Sequence, residues 1–416
     1  MKYSITKHKL LFLLAIVVVC GCAGCKKAED NIPMPTPTKA ATPTAAVSPT
    51  SAVTPTPTVT PTPEPVTFPV EISETTFPEQ LLRKKALAAD GNEDGVLSRE
   101  EAETVTKLHL KKLADEDSKD ALEDEPLPEY TVADFTFDFE GIQYFTELSE
   151  LTVNLLGGEA FVPGEAEEIH VSTKNFRRVY ECTKLKKLAL YEVDITLFDL
   201  SAFSSLKRLE LNCMYNLETV CIGTHEKLSA LWISECHKLE TIDLSGAESI
   251  KTVDIVRNDR VKELLFGEAN GKLEIIQLNG LGNLHEADFS DLRTLKSLNL
   301  TDVSLTSLDV SKNAALEQLC AEGLCLDTLD LSNNPNISYL INATDSFRSI
   351  LLPEDNCISM IRWTDSVVTE FPMTNLNPET LTGIDIQGTA IKELDVSPYP
   401  NLVHLYYDEN VTKIKR

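Results

Sequence analysis

The sequence predicts a solenoid of short parallel β-strands, two per coil and weakly curved, behind a small α-helical cap. An LxxLxL pattern, with Ile or Val allowed, recurs with first positions at Leu185, Leu206, Leu228, Ile250, Leu273, Leu295, Leu316, Ile337, Ile358, Leu381 and Leu402. The spacings are 21 to 23 residues, and self-similarity at this period means stacked units that share one core. A second LxxLxL lies halfway through most units, as in Leu239-x-x-Ile242-x-Leu244, Leu305-x-x-Leu308-x-Val310, Leu326-x-x-Leu329-x-Leu331 and Ile391-x-x-Leu394-x-Val396. Each coil therefore carries two strands, with alternation turning their aliphatic residues toward a common interior. A half-unit of about 11 residues leaves no room for a helix of ordinary length on the outer wall, so both walls advance equally and curvature stays weak. Eleven coils at about 4.8 Å each give a body roughly 50 Å long.

Composition narrows the function. The 65 acidic and 38 basic residues of this 416-residue chain give a formal charge of -27, which repels phosphate backbones and anionic lipid headgroups. Nucleic acid is thereby excluded as a partner. Aromatics make up 6 % of the chain, too few for a stacking platform along a strand of bases. Cysteines fall at 20, 22 and 25 and then at seven positions from 182 to 357. An odd number in the second group rules out a fully paired disulfide framework.

Taken in chain order, the first element is an address. Lys2, Lys7 and Lys9 precede the apolar run Leu10 to Val19, about half the ~20 residues that span a bilayer as a helix. Residues 1–21 thus read as an export signal. The run ends in VCGCAGCKK, which resembles the lipobox of bacterial lipoproteins. That resemblance implies acylation, as by palmitate, of Cys22, with Cys25 as the alternative, and a chain anchored by lipid to the outer face of the cytoplasmic membrane. Residues 22–69 form a Pro/Thr-rich spacer; positions 33–69 alone hold 11 of the 21 prolines. Such a segment buries too little to fold and favours extended polyproline II, reaching at most about 115 Å at ~3.1 Å per residue.

Residues 70–112 read as a helix-loop-helix with a calcium loop. Asp90, Asn92 and Asp94 occupy positions 1, 3 and 5 of the EF-hand spacing, Gly95 position 6, Val96 position 7 through its carbonyl, Ser98 position 9 and Glu101 position 12. Calcium takes six to eight hard oxygen ligands, and this alternation turns successive oxygens to one centre while glycine permits the sharp turn. Leu97 is expected to point into the core. Ser98 and Glu101 also make a capping box for the second helix. No second loop of this pattern occurs, which points to one structural Ca2+ site in the weak extracellular range of about 10⁻⁴ to 10⁻³ M. The acidic stretch within 113–135 lacks the glycine and spacing and reads as a connector.

The repeat domain is assigned to 136–416. Its LDVSKN at 308–313, LDLSNN at 329–334 and LDVS at 394–397 resemble the second halves of bacterial leucine-rich repeats with a unit near 21 residues. The stretch FEGIQYFTELSELTV at 139–153 looks like the entry repeat of internalin-like surface proteins. The resemblance implies a leucine-rich-repeat solenoid that binds macromolecules at a bacterial surface. From Leu148 to Leu185 is about 15 residues more than one coil, so GGEAFVPGEAEEIH is expected to loop out or form an irregular coil.

Candidate chemistry is sparse. There is no GxSxG, no HExxH and no pair of CxxC motifs, so no reaction is expected. GEANGKL at 267–273 falls one residue short of a phosphate loop and ends in Leu. Cys236 sits where these repeats place a buried Asn or Cys. Asp199, Asp243, Asp288, Asp309, Asp330 and Asp395 recur in what reads as the centre of the second strand, forming an acidic column of structural or solubility character. The centre of the first strand varies: Ala189, Glu210, Trp232, Asp254, Gln277, Asn299, Cys320, Ile341, Arg362, Asp385 and Tyr406. Variable side chains on a rigid sheet suit recognition, and interfaces favour Trp, Tyr and Arg. Trp232, Tyr339, Arg362, His404 and Tyr406 are the partner-binding candidates; Trp363 shares that chemistry but falls on an inward position. An extracellular protein is the expected partner and a polysaccharide the alternative, with membrane contact through the lipid anchor only and a monomeric body guarded at its last strand by Lys413, Lys415 and Arg416.

Overall fold

The computed structural model describes residues 66–111, 135–155, 171–324, 326, 328–343, 349–365, 368–371 and 375–416. The export signal, Cys22 and Cys25, nearly all of the spacer and connector, and GGEAFVPGEAEEIH lie outside the described residues.

One parallel sheet of 13 strands runs the length of the repeats, with neighbours in strict chain order from Lys107–Lys111 to His404–Tyr406. Each predicted LxxLxL forms a strand beginning two residues after its first aliphatic, as in Ala230–Ser234 after Leu228 and Thr252–Val256 after Ile250. Alternation does what the pattern requires: Leu231 and Ile233 are fully buried while Ala230, Trp232 and Ser234 face outward. Fully burying such an aliphatic side chain contributes about 1.5–3 kcal/mol, and three per coil set the register. Two strands precede the predicted series, Lys107–Lys111 and Glu150–Asn154. Lys107–Lys111, which the sequence reading groups with the helix-loop-helix, pairs with Glu150–Asn154 and has the repeat pattern itself in Val105-x-x-Leu108-x-Leu110.

The opposite wall departs from expectation. Its strands are short and joined only in pairs: Phe135–Asp138 with Val171–Lys174, Leu197–Asp199 with Thr219–Cys221, Thr241–Asp243 with Glu263–Leu265, Thr328–Asp330 with Ser349–Leu351, and Glu393–Asp395 with Lys413–Lys415. Between Leu265 and Thr328 no outer strand forms among the described residues, although Leu305-x-x-Leu308-x-Val310 predicts one. There the ladder shrinks to bonds such as Thr306 N–H to His285 O, 3.0 Å. No α-helix follows Thr104 among the described residues, in keeping with a narrow outer wall.

The recurrent aspartates are corrected in position. Where strands form, Asp199, Asp243, Asp330 and Asp395 end them rather than centre them. Each carboxylate accepts the backbone N–H two residues on: Ser201 to Asp199 at 2.8 Å, Ser245 to Asp243 at 2.9 Å, Ser290 to Asp288 at 2.8 Å, Ser311 to Asp309 at 2.9 Å, Ser332 to Asp330 at 2.9 Å and Ser397 to Asp395 at 3.0 Å. The D-x-S of the repeat is thus an Asx turn that bends the chain back. The Ser311 and Ser332 bonds hold Asp309 and Asp330 below the ordinary carboxylate range, and Lys415 with Ser397 brings Asp395 to about 2. Nor is the column continuous, since Cys221, Leu265 and Leu351 take the equivalent place in intervening coils.

At the corner beyond the long sheet nine of the described coils make the same bend. Glu192, Cys213, Glu235, Arg257, Gly280, Asp302, Gly323, Asp365 and Gly388 all have φ between 51° and 83°. Only three of these are glycine, the residue that adopts this region freely. The other six hold it because the ladder continues through them, with Glu235 N–H donating to Val256 O and Arg257 N–H to Asn279 O. In three coils the turn after the outer wall is closed by a buried amide: Asn270 donates through Nδ2 to Leu244 O and Ala247 O, Asn313 to Phe289 O and Leu292 O, and Asn334 to Val310 O and Asn313 O. Asn270 lies in GEANGKL, so that segment is a ladder turn.

At the N-terminal end, helix α1 (Gln80–Ala89) and helix α2 (Arg99–Thr104) cover the first coils. Phe77 packs on Tyr144 and Phe145, ring centroids 5.7 and 6.2 Å away, and Phe68 meets Tyr144 edge-on at 5.9 Å.

Candidate functional site

Two places carry candidate chemistry: the loop between α1 and α2, and the outer face of the long sheet.

The loop starts where α1 ends. Asp90 is buried and accepts Gly95 N–H at 2.9 Å through Oδ2; Asn92 Oδ1 accepts Asp94 N–H at 3.0 Å, and Asp94 Oδ1 accepts Val96 N–H at 2.8 Å. Glu101 reaches back across the loop, with Oε1 taking Gly91 N–H at 3.0 Å and Oε2 taking Ser98 N–H at 2.9 Å and Ser98 Oγ at 2.7 Å. The Ser98 backbone bond is the largest cause of the lowered pKa of Glu101. The predicted capping box is present and Leu97 is buried. Val96–Leu97 pairs antiparallel with Val70–Glu71, and Ile72 N–H donates to Gly95 O at 2.9 Å. An upstream strand therefore braces this loop.

The donor set is all oxygen: three carboxylates, the Asn92 amide, the Ser98 hydroxyl and the Val96 carbonyl. That chemistry fits a hard cation such as Ca2+, and the turn already brings position 12 against position 2. Among the described residues no group of three His, Cys, Asp or Glu side chains is gathered about one point. Asp90, Asp94 and Glu101 are each turned to backbone N–H groups of the loop.

On the sheet face, register decides which candidates meet. Ala189, Glu210, Trp232, Asp254, Gln277, Asn299 and Cys320 lie side by side in one row, which continues through Ile341, Arg362, Asp385 and Tyr406 and is preceded by His109 and Thr152. Trp232 and Arg362 are six strands apart in this row, about 29 Å at ~4.8 Å per strand. The five candidates therefore form two patches. Trp232 is half-buried, with the Arg208 guanidinium 4.1 Å from its ring centroid. Tyr339, Arg362, His404 and Tyr406 share the C-terminal end of the face. There Arg362 pairs with Asp385 at 3.3 Å, and the exposed His404 and Tyr406 rings lie parallel within 2° at 6.3 Å. Trp363 is fully buried, as its inward position implies.

Four residues around these patches went unrecognised as site residues: Arg208 over Trp232, Asp385 beside Arg362, and the Tyr191 hydroxyl donating to Glu210. A partner about one period away in sequence was the available signal. Asp254, next to Trp232, has one buried carboxylate oxygen without a hydrogen-bond partner, and burial pushes its carboxyl up to about 6. Cys236 is fully buried and its thiol is pushed up to about 12 by burial, which makes it a core residue.

Stacked coils with an aliphatic triplet on most long-sheet strands, Asx-turned outer halves and buried amides at several turns define a leucine-rich-repeat solenoid. No protein-family model and no curated protein matches this chain. Among solved structures it is similar to internalin InlF from Listeria monocytogenes, with a TM-score of 0.50 at 14 % identity, covering 84 % of this chain and 98 % of that one. The functional domain of InlJ from Listeria monocytogenes gives 0.40 at 18 % identity, covering 82 % and 71 %. At 14 % identity the likeness to InlF is one of fold.

Proposed function

We propose that this protein is a surface-anchored binding protein that uses the outer face of its long sheet to hold an extracellular protein. The observation that carries this reading is the row from His109 to Tyr406: side chains of every chemical kind stand on a rigid 13-stranded frame whose inward positions are mostly aliphatic. Export and lipidation at Cys22, or Cys25, rest on the N-terminal sequence and place the solenoid outside the cytoplasmic membrane, with no reaction assigned to it.

The test is to immobilise residues 26–416 and titrate purified extracellular proteins and polysaccharides. A protein should bind saturably and insensitively to free sugars. Trp232→Ala or Arg362→Ala should weaken it about tenfold, as expected of an aromatic or arginine anchor. Binding only to a polysaccharide, competed by its own sugar, would replace this reading with glycan recognition.

The same proposal assigns one Ca2+ to Asp90, Asn92, Asp94, Val96, Ser98 and Glu101, where it would tie α1 to α2 by cross-linking their oxygens. With calcium about twentyfold above its dissociation constant, binding should stabilise the fold by roughly 2 kcal/mol. Asp90→Ala combined with Glu101→Ala is expected to abolish the difference in melting temperature between calcium and chelator. If wild type itself melts identically in both, the metal assignment fails.

A further inference from the structure

The turn that carries Asn in three coils carries Cys182, Phe203, Ala247 or Leu292 in others, and in one coil it carries a titratable ring. His225 stands where Asn270, Asn313 and Asn334 stand in later coils, separated from them by whole numbers of 21- to 23-residue units. It is 4 % exposed, and both ring nitrogens are engaged. Nδ1 lies 3.1 Å from Leu228 N, and Nε2 lies 3.0 Å from Phe203 O. A backbone N–H can only donate, so Nδ1 must carry the lone pair. The carbonyl of Phe203 can only accept, so Nε2 must carry the proton. The folded coil thus specifies the neutral ring in one tautomer.

Asparagine donates to two carbonyls without an ionising group, as Asn270 does to Leu244 O and Ala247 O; histidine donates to one, Phe203 O, accepts the Leu228 N–H, and can ionise. A second proton would have to go on Nδ1, where it would face the Leu228 N–H donor to donor in a site closed to water. Desolvation is accordingly the main cause holding the ring below its ordinary pKa. Charges at the site are adjacent and opposed: Lys227 disfavours the imidazolium and Glu226 favours it. The coils packed above and below present Gly246 O, which takes His225 N–H at 3.0 Å, and Phe203. Neither carries charge.

We propose that His225 makes the turn joining the coils of residues 203–250 an acid-sensitive joint, intact when the ring is neutral and released when it is protonated. The direction follows from linkage. In the unfolded chain histidine takes a proton near pH 6.5, whereas the folded coil resists it. Below that pH the open form binds the extra proton, and stability falls with pH until the folded pKa is reached. Above about pH 7.5 the joint contributes no pH dependence. Asp254, whose carboxyl is raised, titrates in the opposite sense and is common to wild type and variant.

The test compares the full chain with His225→Asn, which installs the ladder's own residue. Hydrogen exchange of backbone amides in 203–250 is measured at matched pH from 7.5 to 5. The wild-type-to-variant ratio of opening constants should rise as pH falls through 6.5, by at most tenfold per unit, the limit for one proton. A ratio constant across the range overturns the proposal. Should His225→Asn fail to fold, titration of the His225 Cε1–H resonance in the native wild type decides: a midpoint below 6.5 supports the joint and one at or above 6.5 overturns it.

Discussion

Trp363→Ala is expected to destabilise the C-terminal coils by about 3–5 kcal/mol, the cost of truncating a large fully buried side chain in a core that cannot collapse around the gap. Trp363 is 0 % exposed and stands on the inward side of Met360–Thr364, between strands that pair with it in register on both sides. Urea unfolding is the check. Trp232→Ala is the control: its ring lies on the outer face under Arg208, and its loss should change stability by about 1 kcal/mol or less. These are the chain's two tryptophans, so each variant reports through the other's fluorescence. Unfolding of Trp363→Ala at the wild-type midpoint would show that the C-terminal coils do not depend on this ring.

Gly141→Ala should have the second large effect, and a local one. Gly141 has φ +102°, and a Cβ there would lie 2.4 Å from Phe77 Cδ1 and 2.9 Å from the Thr76 carbonyl oxygen. Phe77 can swing, but the Thr76 backbone is fixed by the chain leading into α1, and an alanine at this φ is itself strained by about 1–3 kcal/mol. The expected result is a loss of about 2–4 kcal/mol with the helical cap detached first. Proteolysis should then cut near residues 73–78 while the coils beyond Leu185 keep wild-type protection. Uniform loss of protection would mean that cap and repeats unfold as one unit.

How much of this was legible in the sequence follows from which physical demand each element meets. The long sheet was legible because most coils bury an aliphatic triplet, and Leu228, Leu231 and Ile233 cannot be exchanged for polar residues without opening the core. Lys107–Lys111 obeys the same pattern, yet its sequence separation from Glu150–Asn154 breaks the period and hid it. Outer strands were overcounted because an aliphatic pattern buries residues whether or not a ladder forms behind it. Asp330 was assigned to the middle of a strand, although the serine two positions on is the mark of an Asx turn. The left-handed corners were invisible at Glu192, Cys213 and Arg257, where neighbouring coils impose the conformation and the residue type carries no sign of it. On the binding face, residue types were readable from the strand centres. That Trp232 and Arg362 fall in separate patches needed the strand count between them.

The sheet whose neighbours follow strict chain order has a mechanical consequence. A pull on the two ends of the repeat array loads the hydrogen bonds between strands along their own direction, one coil boundary at a time. Each coil that peels away releases about 21 residues, roughly 70 Å of contour at 3.3–3.6 Å per residue, in exchange for a single ~4.8 Å step of the stack. The array would therefore lengthen in separate, nearly equal increments, and a body tethered at one end and gripped on its face would act as a shock absorber that yields from its ends and re-stacks when the load is removed.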